Sequence, residues 1–258
     1  MNADASVPGG AAHVAPGARL GRDVTVGAGS VIHDCAVLGD RTQVMELCVI
    51  GAAAAQAAAE CRVGTDALIR SHAVVYAGAE LGPALETGHH VVIREGTRAG
   101  ENLRVGNFSD IEGDCTIGDF CRLHGYVHVG KGSEIGHFVW IFSLVTLTND
   151  PLPPSLEHAP VRIGDGAVIC VGATLMPGVT IGKGAYISAG ARVESDVPPG
   201  GVLGPDGRLV GHVSSLMRLD SGLRHPWMSH AQSLFPSRAH DRITALRDEV
   251  LASRKLWS

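Results

Sequence analysis

Three histidines, His124, His128 and His137, fall within the fifteen residues LHGYVHVGKGSEIGH (123–137). Imidazole titrates near neutral pH and is also the commonest metal-binding side chain. The cluster therefore suits a general base, a metal centre, or a surface that merely tolerates histidine. A base needs a carboxylate beside it to fix its tautomer and raise its basicity. A metal needs several imidazoles converging on one point about 2 Å away. Which condition is met depends on the backbone that carries them.

Composition narrows that backbone. The chain has 258 residues with 34 glycines and only 4% aromatics, so its core must be built from small and branched aliphatic side chains in thin layers. A net charge of −5 and the absence of any Lys/Arg run argue against nucleic acid as a partner. The N-terminus MNADASVPGGAAHVAPGARL has no positive start followed by an apolar stretch, and no run reaches the ~18 apolar residues of a membrane span, which points to a cytoplasmic protein with no membrane partner. The six cysteines form no CxxC pair, so neither a zinc ribbon nor a disulfide scaffold is indicated.

A step of six residues organises the chain. From Val63 to Leu147 it visits fifteen positions, of which thirteen are Leu, Ile or Val, Thr87 and Ala99 being the exceptions. The step also runs from Val14 to Ile50 upstream and from Ile163 to Val193 downstream. The residue four further on is usually small, as at Ala67, Ala73, Ser109, Cys115, Ser133 and Ala173, and glycine often follows the aliphatic. Cys48 and Cys121 occupy the same small positions, as reduced core thiols would. A hexapeptide period with one large and one small inward residue is the signature of a parallel β-helix, whose coils are stabilised by their neighbours.

Two stretches break the step. GAAAAQAAAE (51–60) predicts a loop or helical bulge, and the Pro-rich TNDPLPPSLEHAP (148–160) predicts a long, functional loop. The repeat ends after Val197-Pro198-Pro199-Gly200. Beyond it, Ile243, Leu246, Val250 and Leu251 share one helical face, predicting a tail that caps the open end of the coil or packs on a neighbouring subunit. The expected division is a β-helix domain over 1–212, with loops near 51–62 and 148–162, and a helical extension over 213–258.

The unit [Leu/Ile/Val]-Gly-x-x-small-x resembles that of the hexapeptide-repeat acyltransferase superfamily. The resemblance implies an all-β fold, a left-handed parallel β-helix of about nine coils, each of three short strands and eighteen residues. Residues eighteen apart then stack one strand spacing apart, about 4.8 Å. His128, next to inward Val129, points outward above Asp110, with Thr146 continuing the column. His137 stacks on Asp119 at a corner, and His124 lies between Gly106 and Phe142 with no carboxylate in its column. His89 and His90 reach Gly125 and Tyr126 after two coils, so they do not register with other imidazoles, and no metal is expected.

The segment LETGHHVVIREGTRAGENLRVGNFSDIEGDCTIGDFCRLHGYVHVGKG (85–132), with VTLTNDPLPP and MPGVTIGKGAYISAGARVESDVPPG, resembles bacterial N-acyltransferases of nucleotide-linked amino sugars, especially those modifying a 3-amino group. The likeness spans about residues 60–212. Relatives acting on lipid A precursors or 4-amino sugars carry a catalytic histidine where this chain has Ile111-Glu112-Gly113-Asp114. Xenobiotic, maltose and serine acetyltransferases carry one where it has Thr148-Asn149-Asp150-Pro151. Neither histidine is present. The Gln-x-Asn stretch of the 3-amino-sugar enzymes is His124-Gly125-Tyr126, and their terminal Gly-x-Pro-Ala-Lys/Arg is replaced by Gly204-Pro205-Asp206-Gly207-Arg208.

The resemblance implies a homotrimer with its site between subunits, a small-molecule acceptor, and acetyl-CoA or another short acyl-CoA as co-substrate. His128 oriented by Asp110 is the expected base, with His124 as substitute and Asn149 as a further catalytic group. His89, His90, Asn107, Tyr126 and Asp150 are expected to line the acceptor. Backbone amides near Ala173 and Gly190 would face the pantetheine, and Arg192 and Arg208 the CoA phosphates. The expected activity is N-acylation of a nucleotide-linked amino sugar or related small amine by direct transfer. O-acylation of a sugar or small hydroxyl compound, a γ-carbonic-anhydrase-like metalloenzyme and a silent scaffold are the alternatives.

Overall fold

The computed structural model describes residues 11–53, 59–216, 228 and 234–257. Short strands of two to four residues wind into a prism of three parallel sheets holding ten, nine and eleven strands, about ten turns in all. Each strand pairs with the one a coil later, as Val92↔Asp110, Asp110↔His128 and His128↔Thr146 show on the first face. The eighteen-residue coil thus holds through the centre of the chain. It lengthens twice, Val37 pairing with Arg62 and Glu134 with Arg162. Both insertions leave the prism at the corner between the first and second faces. Of the first, residues 54–58, where the bulge is expected, lie outside the described residues.

The six-residue step is the core. Ile69, Ile93, Ile111, Ile141 and Leu147 are fully buried, as are the small partners Ala73, Cys115, Ser133 and Ala173. Alternation of large and small inward residues lets a narrow prism fill to interior density. Each buried aliphatic contributes about 1.5–3 kcal/mol by removal from water.

The end of the solenoid departs from parallel pairing: Gly201–Leu203 pairs antiparallel with Leu209–His212, blunting the last coil with a hairpin. The tail meets that end through its last turn, where Ser253 Oγ lies 3.0 Å from His212 Nε2 and the Trp257 indole N–H donates to the Pro199 carbonyl at 3.3 Å, but its main helix runs elsewhere. Helix α1 (His240–Ala252) lies along the corner between the second and third faces, its Ile243, Leu246 and Val250 in a cluster with Phe120, Phe138 and Phe235. Leu251, expected on the same face, is 37% exposed. The physical reason is a seat invisible to periodicity. Gly166 and Gly184 leave that corner bare, and a Cβ on Gly184 would lie 2.4 Å from a Val250 methyl. Arg242 locks the seat by reaching Asp119 at 2.9 Å and His137 at 3.2 Å, over the Phe120 and Phe138 rings. Residues 217–227 and 229–233 of the tail lie outside the described residues.

Candidate active site

The first face presents one outward residue per rung: Val74, Val92, Asp110, His128, Thr146, Thr174 and Arg192. Its apolar run turns polar at Asp110. Asp110 and His128 belong to consecutive strands, Asp110–Ile111 and His128–Val129, and their neighbours Ile111 and Val129 are buried anchors. Strand alternation turns the next side chain outward.

His128 Nδ1 lies 2.8 Å from Asp110 Oδ2. A carboxylate can only accept here, so Nδ1 carries the proton and Nε2 is left with its lone pair. Glu112 Oε2 stands 4.0 Å from that Nε2. The Asp110 hydrogen bond raises the imidazole pKa above its ordinary value against the opposing effect of burial, with the charges of Asp110 and Glu112 adding to the rise. His128 is half-buried. Glu112 is absent from the sequence expectations; its signal was a position one past inward Ile111, diagonal to His128.

His124 stands elsewhere, toward the third face. Its Nε2 accepts from the Trp140 indole N–H at 2.8 Å, and its ring stacks on Phe142 with centroids 4.5 Å apart. Burial lowers its pKa. With its acceptor nitrogen filled, His124 has no lone pair to take a proton, which corrects the substitute-base expectation. His137 stacks on Asp119 as arithmetic placed it, accepting from the Asp119 N–H at 2.9 Å, and belongs to the seat of α1.

The expected acceptor residues divide. His90 and Tyr126 join His72 and Phe108 in one stacked column at the corner between the third and first faces, with successive centroids 4.4, 4.8 and 5.1 Å apart. Asn107 Oδ1 accepts from the His89 N–H at 2.7 Å and so fastens one coil to the next. Asp150 is used within its own loop, accepting from the Leu152 and Ser155 amides at 3.0 and 2.9 Å. The Asn149 amide sits over Gly130, one rung above the Glu112 position. At the same corner Lys131 pairs with Asp114 at 3.1 Å.

The donor-end expectations need one correction. The Ala173 amide donates to the Cys170 carbonyl of its own turn at 3.3 Å and the Gly190 amide to the Val171 carbonyl of the preceding coil at 2.9 Å, so neither N–H is open to a ligand. Gly172 and Gly190 nevertheless form a bare corner, with nothing within 4 Å of an added Cβ. Arg192 lies on the His128 row and pairs with Glu194 at 2.7 Å. The terminal hairpin brings Gly207 close to the Arg192 carbonyl, so exposed Arg208 is beside it. Among the described residues no group of three or more His, Cys, Asp or Glu is arranged to hold a metal.

Parallel coils, alternating large and small inward residues and a polar outward row define a hexapeptide-repeat β-helix. The family described as "Bacterial transferase hexapeptide (six repeats)" matches residues 160–195. The bifunctional protein GlmU of Bordetella parapertussis is 29% identical over 167 residues, covering 60% of this chain and 35% of GlmU. GlmU of Herminiimonas arsenicoxydans is 25% identical over 174 residues with the same coverage. The chain thus spans about a third of the length of these curated relatives. An Arabidopsis UDP-N-acetylglucosamine acyltransferase structure superimposes with a TM-score of 0.59 at 16% identity, covering 95% of this chain and 94% of that one. That likeness shows the fold, including the left-handed sense of the coil. Residues 160–195 thus match the bacterial hexapeptide transferase family, and the chain as a whole has the left-handed β-helix fold.

Proposed function

We propose that the protein is an acyl-CoA-dependent N-acyltransferase, with acetyl as the acyl group and a nucleotide-linked amino sugar or related small amine as acceptor. The observation that carries the reading is the Asp110–His128 pair on the outward row of the first face. The name of one structural relative, a UDP-N-acetylglucosamine acyltransferase, supports the substrate class.

In the reaction the amine lone pair attacks the thioester carbonyl, forming the C–N bond. The proton shed by the amine goes to His128 Nε2 while Asp110 stabilises the imidazolium. Collapse of the tetrahedral intermediate breaks the C–S bond, and the proton returns to the CoA sulfur. No acyl-enzyme is formed, so catalysis rests on positioning as much as on the base. Arg192, on the same row three rungs or about 14 Å from His128, is placed to meet a CoA phosphate. Asn149, Tyr126 and His90 flank the row as acceptor contacts. O-acylation is the second reading, favoured by the same pair, because a hydroxyl needs a base more than an amine does.

The assembly proposed is a homotrimer. Leu47, Phe108, Tyr126 and Leu144, all about half exposed, line the corner beside the His128 row and would be covered by a second copy. A cytoplasmic location is proposed with it; no helix among the described residues is long and apolar enough to cross a membrane.

Calorimetry with acetyl-CoA and CoA is the first test. Saturable binding near one CoA per chain is expected, followed by thiol release on addition of nucleotide-linked 3-amino sugars. Absence of CoA binding would overturn the transferase reading, and turnover with hydroxyl acceptors alone would select O-acylation.

A further inference from the structure

The third face carries a second cleft, separate from the Asp110–His128 row. Its outward column, one residue per rung, is Glu86, Arg104, Arg122 and Trp140. The column beside it is Arg70, Gly88, Gly106 and His124, so two consecutive rungs have no side chain between the arginine and the imidazole. The result is a cleft of about 660 Å³ with a glycine floor, flanked by Leu234 of the tail.

Its charge is unbalanced. Three guanidiniums, of Arg70, Arg104 and Arg122, share one carboxylate. Glu86 accepts from Arg70 Nη2 at 2.7 Å and faces Arg104 Nε at 3.2 Å. Arg122 is left with neutral oxygens only: the Asn102 and Cys121 carbonyls at 2.6 and 3.0 Å and Asn102 Oδ1 at 2.6 Å. Among the described residues no carboxylate forms an ion pair with it. Its residue exposure is 8%, and Phe235 packs 4.8 Å below the guanidinium plane. Burial, and then the Arg104 charge, push its pKa down to about 10. Arg122 has no ion-pair partner of its own and only the shared Glu86 charge at longer range, so its burial is costly, and the cost is recovered when an anion binds. Guanidiniums match phosphate oxygens in geometry as well as charge. The three rungs from Arg70 to His124 span about 14 Å, room for more than one phosphate.

We propose that this cleft binds the phosphate or diphosphate group of a small molecule, held between Arg104 and Arg122 with Arg70 at its outer end. The cleft is also lined by His89, Asn107 and His124, expected above at the acceptor or as base, but the phosphate site needs neither donor nor base to be tested.

The test is equilibrium binding to the full chain at low ionic strength, without acyl-CoA, using inorganic pyrophosphate and uridine 5′-diphosphate as probes. Saturable binding is expected, weakened at least tenfold in Arg104→Ser and in Arg70→Ser. It should be unchanged in Arg98→Ser, which removes an exposed guanidinium from the second face. Similar affinity for both probes assigns the site to phosphate chemistry alone; tighter binding of the nucleotide assigns it to the diphosphate of a nucleotide-linked ligand. Absence of saturable binding of either probe at millimolar concentration, or binding unaffected in Arg104→Ser, overturns the proposal. Arg104 is half exposed, so its variant leaves the coil intact and the result interpretable.

Discussion

Replacing His128 with alanine removes the proposed base and little else. The imidazole projects from an outward position, is about a third exposed, and makes one short contact, the 2.8 Å bond to Asp110. Partly exposed ion pairs contribute about 0–1 kcal/mol, so the melting transition of His128→Ala should stay close to that of the wild type. Turnover should not. A positioned general base contributes roughly 10²–10⁴-fold, equivalent to about 2.7–5.4 kcal/mol of barrier at 1.36 kcal/mol per decade. The assay is release of CoA thiol under saturating acyl-CoA and acceptor, with calorimetry confirming that CoA still binds. A drop in kcat of at least about 100-fold with unchanged CoA affinity is expected. Near-normal turnover would refute the reasoning, because the two histidines nearest in sequence cannot take its place: both lie off this row, His124 held by Trp140 and His137 by Arg242.

The pH dependence follows from the same pair. The hydrogen bond that His128 donates to Asp110 raises the His128 pKa above its ordinary value, so the basic form accumulates only above the usual imidazole range and activity should rise on that limb. Asp110→Asn should move the limb to lower pH, which imidazole NMR titration checks without any substrate. For stability the sign is the reverse: the contribution of the pair is complete below the unfolded imidazole pKa and fades as pH rises through the raised folded value. Ile141→Ala, at a fully buried rung, should cost about 2–5 kcal/mol in chemical denaturation. Gly184→Ala should release α1 from its corner, because the new methyl meets Val250 and the backbone φ of +61° disfavours any side chain; hydrogen exchange should then accelerate in residues 240–252 while central coil amides remain protected.

The prism was legible in the sequence because its inward residues recur every six positions, and a period sustained over so many coils leaves no other packing. The Asp110–His128 contact was legible for the same reason: in a coil of fixed length, sequence separation becomes spatial stacking. Glu112 was harder to find, being a diagonal neighbour rather than a member of the column. The occupied amides of Ala173 and Gly190 were missed because spacing says nothing about which backbone donors a turn consumes.

The amino-acid sequence alone therefore determined the solenoid, its inward core and the rows on its faces, all of which are local consequences of one repeated hexapeptide. Only the tertiary structure decided what lies across those rows. The tail docks along a corner because Gly166 and Gly184 are bare there and Arg242 finds Asp119, and His124 is tied to Trp140 rather than free to act. The Arg70, Arg104 and Arg122 guanidiniums gather around a single carboxylate on the third face. These contacts join segments with no common period, so their free energy depends on shape and charge meeting in space, which periodicity does not encode.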